Sequence, residues 1–257
     1  MKTSDADKKV IWKKVYEFVA TLDTQGFEMM NFGYEGSETG EGSAGGDDER
    51  GAHQLYQHVI GRVELAGKNV LEVGCGRGGG AVFAKHQFAP AQLHGLDYSP
   101  KAIEVCRQRY SDVEGLSFVC GDAEDLPFAA GEFDAVINIE SSHCYASRLK
   151  FYEETWRVLK PGGDFLYADF FPAQEECVKE LTGVGFELLV EEDITAGVVR
   201  SLERDHARKE KLFRHLPQPR RGNMENWAGL VGSTTYEAFR TRRYTYRSYH
   251  LRKSAPS

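Results

Sequence analysis

Short apolar runs alternate with amphipathic segments through the middle of the chain. The runs are four or five residues long, typical of buried strands, and lie at 70–73, 92–96, 116–119, 135–139 and 164–168. Helical patterns separate most of them, at 78–86, 100–110 and 148–159. This alternation predicts a parallel sheet with helices packed on both faces.

The two ends of the chain depart from the alternation. Residues 8–22 have one apolar face at helical spacing, and residues 36–48 are rich in Gly, Ser and Glu without periodicity, as in a loop. Residues 51–65 again show a helical pattern. Later elements are predicted as a strand at 185–195, a charged helix at 197–214, a break at 217–222, a short helix from Ser233 and a last strand at 242–251. We therefore divide the chain into an N-terminal helix and loop, residues 1–50, and an α/β domain, residues 51–257.

Composition and charge narrow the class of protein. The chain has 257 residues, 41% of them hydrophobic, which suffices for one elaborated domain with a sizeable core. The formal charge is −7, an overall acidity that argues against a nucleic-acid binder, since phosphate neutralisation dominates such affinity. The charge is uneven: residues 200–257 carry fourteen Lys and Arg against five Asp and Glu, which leaves an anionic ligand open. Apolar runs are too short for insertion into a membrane.

The cysteines and histidines give no sign of a disulfide framework or a metal centre. The five cysteines form no CxxC pair, and their odd number leaves at least one unpaired. His53, His58 and His86 lie in predicted helices without ligand partners at metal spacing. The N-terminus lacks the apolar segment of a secretory signal. We therefore expect no metal and a cytoplasmic protein.

A glycine-rich loop follows the first predicted strand of the alternating region. Gly74, Gly76 and Gly79 match G-x-G-x-x-G, and Asp97 follows about twenty residues later, which is formally the dinucleotide fingerprint. Glu72, however, would place a like charge near a pyrophosphate. Its carboxylate suits a ligand with an ammonium and a sulfonium, such as S-adenosylmethionine (SAM), whose ribose Asp97 would bind. A tight turn that holds no ligand remains the alternative.

Five segments resemble class I SAM-dependent methyltransferases in order and spacing. They are EVGCGRG from Glu72, GLDYSP (95–100), GDAEDLPF (121–128), FDAVINIE (133–140) and RVLKPGG (157–163). The likeness is tight over roughly 50–170 and loose elsewhere. It implies a Rossmann-like α/β fold with a seven-stranded, mostly parallel sheet, an antiparallel last strand and an N-terminal helical lid, and it implies SAM as the cofactor.

The same resemblance implies which residues bind the cofactor. Glu72 would reach the amino group, and Gly74 and Gly76 would lie under the methionine and ribose. Cys75 and Asn138 are assigned to the same site.

Two further segments would complete the cofactor site. Asp97 would bind the ribose diol with Tyr98 beside the adenine. Asp122 would accept from the adenine amino group and Ala123 would present its backbone amide. For Asp122, a structural role in an Asp-rich turn is the alternative.

The segment NFGYEG, starting at Asn31, resembles the FGYW-like segment of small-molecule methyltransferases, in which an aromatic residue lines the methionine end. Tyr34 is the candidate here, although Glu35 stands where that family often has tryptophan. An ordinary turn tyrosine is the alternative.

Two ionisable residues follow neighbouring predicted strands, at the sheet edge where α/β proteins bind ligands. His143 lies in ESSHCY and Asp169 in ADFF. ESSH is similar to the ES-x-H segment of sugar and lipid-alcohol O-methyltransferases, whose histidine acts as a base, and ADF matches the segment with their acidic helper. Some relatives have a second histidine where this chain has Cys144. We expect an ordinary His143 pKa near ~6.5. A packed histidine, and Asp169 as a helix N-cap, remain alternatives.

The sequence thus favours O-methylation of a hydroxyl on a hydrophobic small molecule, such as a secondary metabolite, glycoside or lipid alcohol. One alternative is C-methylation of a prenyl or alkene acceptor, possibly with cyclisation, which needs aromatic walls. Candidates for those walls are Tyr167, Phe170, Phe171, Trp227 and Tyr236. An NAD-binding oxidoreductase and a non-catalytic binding protein of the same fold are further alternatives.

The N-terminal helix predicts both a lid and an assembly. Its apolar face comprises Trp12, Val15, Phe18, Val19 and Leu22, and burial of each large side chain is worth ~1.5–3 kcal/mol. We expect this face to dock over the active site or onto a second subunit, with residues 36–48 as a hinge. The predicted assembly is a homo-oligomer, a dimer or larger. The acceptor pocket is expected to form from the N-terminal region and the insertions around 170–240.

Overall fold

The computed structural model describes Val19, residues 27–36 and residues 49–254. Most of the predicted helix at 8–22 and of the predicted loop at 36–48 therefore lies outside the described residues, and the lid hinge stays a prediction. In the described ranges, no helix combines the length and apolarity needed to cross a bilayer.

A seven-stranded sheet forms the centre of the domain, in the order β3-β2-β1-β4-β5-β7-β6. Its strands are β1 (Asn69–Val73), β2 (Gln92–Asp97), β3 (Leu116–Cys120), β4 (Phe133–Ile139), β5 (Leu159–Pro172), β6 (Phe186–Asp193) and β7 (Tyr244–Lys253). The first five pair in parallel, whereas β7 pairs antiparallel with both β5 and β6. This confirms the predicted mostly parallel sheet with an antiparallel last strand.

Helices cover the sheet and build the C-terminal part. They are α1 (Arg50–Ile60), α2 (Gly79–Phe88), α3 (Pro100–Arg109), α4 (Arg148–Val158), α5 (Val178–Val184), α6 (Thr195–Phe213), α7 (Arg220–Trp227) and α8 (Thr234–Arg240). A 3₁₀ turn, Ser142–Cys144, follows β4.

Three predicted boundaries were wrong, each for a physical reason. β5 runs over Leu159–Pro172 instead of 164–168, since its second half pairs with β7 as well as with β4. The predicted break at 217–222 contains the start of α7 at Arg220, because a proline that precedes a helix removes no hydrogen bond from it. The helix predicted to reach residue 65 ends at Ile60, where Gly61 caps it.

Two apolar clusters sandwich the sheet. One contains Leu55, Val70, Ile137 and Leu166, and the other contains Leu71, Val136, Phe151 and Phe165. Neighbouring residues of one strand thus point to opposite faces, as expected for a sheet that is covered on both sides. Because parallel strands end at one edge, the glycine loop after β1, the turn after β4 and the end of β5 meet there.

Candidate active site

The glycine loop turns the chain from β1 into α2. Gly74 has φ +80° and Gly76 has φ +53°, backbone conformations that favour glycine. A Cβ at Gly76 would collide with the Met30 side chain, so the close packing of Met30 on this loop requires a residue without a side chain. Asp97, at the end of β2, stabilises the turn: Gly76 N donates to Asp97 Oδ2 at 2.9 Å.

Asp97 is half-buried and its carboxylate is held by two backbone amides. Besides Gly76 N, Ser99 N donates to Asp97 Oδ1 at 2.9 Å. Burial raises the pKa of Asp97, although both amide donors act to lower it. Each oxygen keeps a lone pair for a further donor, such as a ribose hydroxyl.

Glu72 lies beneath this loop, almost fully buried. Tyr56 OH donates to its Oε1 at 2.5 Å, and Oε2 has no hydrogen-bond partner among the described residues. Burial raises the pKa of Glu72 to about 7. A buried carboxylate oxygen without a donor is costly, and a ligand cation would remove that cost. This orphaned oxygen, together with the glycine cradle, fits a ligand with an ammonium group.

A cavity lies over the loop and reaches the ends of β2 and β4. The structure brings seven of the predicted cofactor residues to its wall: Gly74, Cys75, Gly76, Asp97, Tyr98, Asp122 and Ala123. Tyr98 is 46% exposed at the surface. Asp122 Oδ1 also accepts from Glu124 N at 3.0 Å, so the predicted turn role and a place on the cavity wall coexist.

Three predicted cofactor residues do not line this cavity: Glu72, which is buried beneath the loop, Tyr34 and Asn138. The Tyr34 ring packs on His58, with centroids 4.3 Å apart, and lies against Gly197, where a Cβ would collide with it. Met29, Met30 and Asn31 of the same segment line the cavity instead.

Asn138 supports the cavity from below rather than lining it. Its side chain is fully buried, and Nδ2 donates to Val73 O at 2.8 Å and Ser141 Oγ at 2.7 Å. It therefore connects the ends of β1 and β4.

His143 and Asp169 meet as the sequence predicts. His143 Nδ1 lies 2.8 Å from Asp169 Oδ1, and because a carboxylate only accepts, Nδ1 carries the proton. His143 N and Ser142 Oγ both donate to Asp169 Oδ2, at 2.9 and 2.5 Å. The His143 ring packs on Phe170, with centroids 4.3 Å apart. The imidazole is thus held in one orientation, and in its neutral form Nε2 is the ring nitrogen that accepts a proton.

The same contacts set the charge of the pair. Burial acts to lower the pKa of His143, but Cys144 and Asp169 outweigh it and raise that pKa well above its ordinary value. Burial acts to raise the pKa of Asp169, but the charge and hydrogen bond of His143 outweigh it and lower that pKa. An ordinary histidine pKa, as expected from the sequence, is therefore wrong for this environment, and the neutral base forms at higher pH.

Glu140 is a functional candidate that the sequence reading missed. Its Oε2 accepts from Phe32 N at 2.9 Å and from Tyr246 OH at 3.0 Å, and burial raises its pKa to about 8. It has φ +53°, which is unusual for a residue other than glycine. It lines the cavity over the glycine loop and also a second, adjoining cavity. An acidic residue at the end of β4, three residues before His143, was the feature of the sequence that could have indicated a functional role for Glu140.

A second cavity, of about 1170 Å³, adjoins the first and contains His143 on its wall. Apolar side chains line it, among them Phe27, Phe32, Phe170, Met224 and Trp227. Of the five aromatic residues predicted to wall an alkene site, only Phe170 and Trp227 line it. Tyr167 and Phe171 are core residues, and Tyr236 donates to Glu203 at 2.7 Å.

The sequence matches known methyltransferases over most of its length. Residues 71–167 match the methyltransferase domain family. The chain is 37% identical over 233 residues to a probable phthiotriol/phenolphthiotriol dimycocerosates methyltransferase 2 of Mycobacterium ulcerans, with 87% of this chain and 90% of that protein covered. It is 36% identical over 250 residues to a fatty-acid O-methyltransferase of Mycolicibacterium smegmatis, with 95% and 90% covered.

Solved structures of the same fold are more distant in sequence. The [4+2]-cyclase SpnF superposes with a TM-score of 0.74 at 21% identity, over 98% of this chain and 97% of that one. A geranyl diphosphate C-methyltransferase from Streptomyces coelicolor superposes with a TM-score of 0.68 at 14% identity, over 94% and 98%. At such identities the likeness concerns the fold.

Proposed function

Because the chain belongs to the class I SAM-dependent methyltransferases, we propose that it methylates a hydroxyl of a hydrophobic small molecule, with His143 as the general base. The observation that carries the proposal is the His143–Asp169 pair, joined at 2.8 Å, with His143 on the wall of a large cavity that several aromatic and apolar side chains line. Relatives named for a lipid alcohol and for a fatty acid support an acceptor of this kind. A secondary metabolite or glycoside with an apolar body fits the same cavity.

The residues of the first cavity, together with Glu72 buried beneath the glycine loop, fit the cofactor. Glu72, with its orphaned oxygen, would hold the amino group, and Asp97 the ribose hydroxyls. Asp122 and Ala123 would hold the adenine from the other wall of the cavity. When bound, SAM supplies a methyl group on a positively charged sulfur, ready for displacement by a nucleophile.

The chain itself must orient the acceptor and accept its proton. Asp169 fixes the proton of His143 on Nδ1, so that Nε2 can take the hydroxyl proton, and the charge of Asp169 stabilises the imidazolium that results. Phe170 holds the ring from one side. Segment 27–36, which Phe32 N ties to Glu140, covers both cavities and excludes water from the nucleophile.

Replacement of His143 tests the assignment. His143→Ala should lower turnover by about 10²–10⁴, the usual contribution of a general base, and leave affinity for S-adenosylhomocysteine (SAH) unchanged. Turnover would be measured with tritiated SAM and lipid-alcohol acceptors. His86→Ala, an exposed position on α2, is the matched control. Near-wild-type turnover in His143→Ala would show that His143 is not the general base and would favour C-methylation of an alkene instead.

The proposal extends to the N-terminal region and to assembly. Residues 1–50 act as a lid, supported by the burial of Val19, whose carbonyl accepts from Arg77 Nη1 at 2.8 Å next to the glycine loop. The apolar face predicted at 8–22 supports a homo-oligomer, and light scattering measures its size. The odd number of cysteines, which leaves at least one without a disulfide partner, supports a cytoplasmic location.

A further inference from the structure

A buried lysine in the second cavity is not used by the proposed methyl transfer. Lys209 lies on α6, its side chain is only 4% exposed, and it lines the same cavity as His143 and Trp227. Ammonium groups are among the least often buried in proteins, because loss of hydration is costly without an anionic partner. The position of Lys209 therefore requires a reason.

The contacts that Lys209 makes within the described residues are long. Its Nζ lies 3.5 Å from Asp205 Oδ2 and 3.4 Å from Ala228 O, both beyond the ~2.7–2.9 Å of a charge-assisted hydrogen bond. Asp205 is engaged elsewhere, since Arg208 donates to both of its oxygens, at 2.5 and 2.7 Å. An ammonium has three donors, so Lys209 has capacity for a closer anionic partner.

The rest of the cavity defines the kind of anion. Two of its charged pairs are internally neutral, His143 with Asp169 and Arg148 with Glu175. Glu140 has a pKa raised to about 8 by burial and is mainly uncharged at neutral pH. Glu180 and Arg220 are further charged residues of the wall, and aromatic and apolar side chains lie among these charges. A buried ammonium whose contacts within the described residues are long, in a cavity that aromatic and apolar side chains also line, matches an amphiphile with a negatively charged group.

We propose that the acceptor is a hydrophobic hydroxy acid, whose carboxylate binds Lys209 Nζ while its hydroxyl lies at His143. The carboxylate contact completes the coordination of the buried ammonium, and the apolar body of the acceptor fills the space among the aromatic side chains. The position of the hydroxyl rests on the proposed function, whereas the carboxylate site does not.

Binding of a simple amphiphile tests the carboxylate site without catalysis. Calorimetry with the full-length protein and SAH would compare decanoate with decan-1-ol, which share a chain and differ in charge. Lys209→Met keeps the length of the side chain and removes its charge, and Lys211→Met, exposed on the same helix, is the matched control. Lys209→Met should weaken decanoate binding about 10- to 100-fold, the range for one hydrogen bond to a charged group, and leave decan-1-ol binding unchanged.

Two results would overturn the carboxylate site. One is equal affinity of the wild-type protein for decanoate and decan-1-ol; the other is undiminished decanoate binding by Lys209→Met. Because Lys209→Met removes a buried charge, the melting temperature of this variant should equal or exceed that of the wild type. This control shows that a loss of affinity does not result from misfolding.

Product analysis tests where the hydroxyl lies. With tritiated SAM and 10-hydroxydecanoate, mass spectrometry should find the methyl ether, and a methyl ester would overturn the two-point arrangement. If decanoate binding depends on Lys209 but no hydroxyl is methylated, the proposed function is wrong while the carboxylate site is supported.

Discussion

Cofactor affinity should depend on pH through Glu72. This carboxyl is buried beneath the glycine loop, Tyr56 OH is its donor at 2.5 Å, and its pKa is raised to about 7. The ammonium of SAM or SAH needs the carboxylate form. Affinity is therefore full above pH 7 and decreases as the pH falls through 7, when Glu72 becomes protonated and neutral.

The size of the effect follows from the pKa. If binding of the ammonium returns the pKa of Glu72 to an ordinary value near ~4.5, SAH affinity should fall about 20-fold between pH 7.5 and 5.5. That ratio corresponds to about 1.8 kcal/mol. Below pH 7 the limiting slope is about tenfold per pH unit.

Calorimetric titration with SAH across pH 5–8 measures this slope. Glu72→Gln is the matched variant, because its amide oxygen can still accept from Tyr56 OH while its charge does not change with pH. It should bind SAH weakly and with little pH dependence. A flat wild-type profile, or a slope that persists in Glu72→Gln, would refute the assignment of the ammonium to Glu72.

Two further predictions concern the other carboxylates. Turnover of the wild type should rise with pH with a midpoint above 6.5, since the base form of His143 appears only as the pH passes its raised pKa. Asp169→Asn should move this midpoint to lower pH and reduce turnover about 10²–10⁴-fold, and pH–rate profiles of both proteins measure the change. An unchanged midpoint would show that Asp169 does not set the pKa of His143. Asp97→Ala should weaken SAH binding by about 1.5–3 kcal/mol, because hydrogen bonds to a charged group are worth that much; calorimetry that finds normal SAH affinity, or tight NAD binding instead, would contradict the role of Asp97.

Local patterns of residues explain why much of the fold can be predicted from the sequence. Alternating apolar runs and amphipathic segments predict a parallel sheet that helices cover on both faces. Gly74 and Gly76 have positive φ, and only glycine adopts such conformations at little cost. His143 and Asp169 could be expected to meet because parallel strands end at one edge, and β4 and β5 are neighbours there.

Short helices at the C-terminal end were harder to predict. α5 has seven residues, too few for a clear period, and α7 begins immediately after prolines that suggest a break. Such elements depend on packing against the rest of the domain rather than on their own propensity.

Only the tertiary structure decided the environment of the ionisable groups. Phe32 and Glu140 are 108 residues apart in sequence and share a hydrogen bond, and Tyr34 is turned away from the cofactor cavity by its packing on His58. The raised pKa of Glu72 and the long contacts of Lys209 arise from burial among distant segments. Burial and the distances between charges set their energies, and neither is encoded in a local pattern of residues.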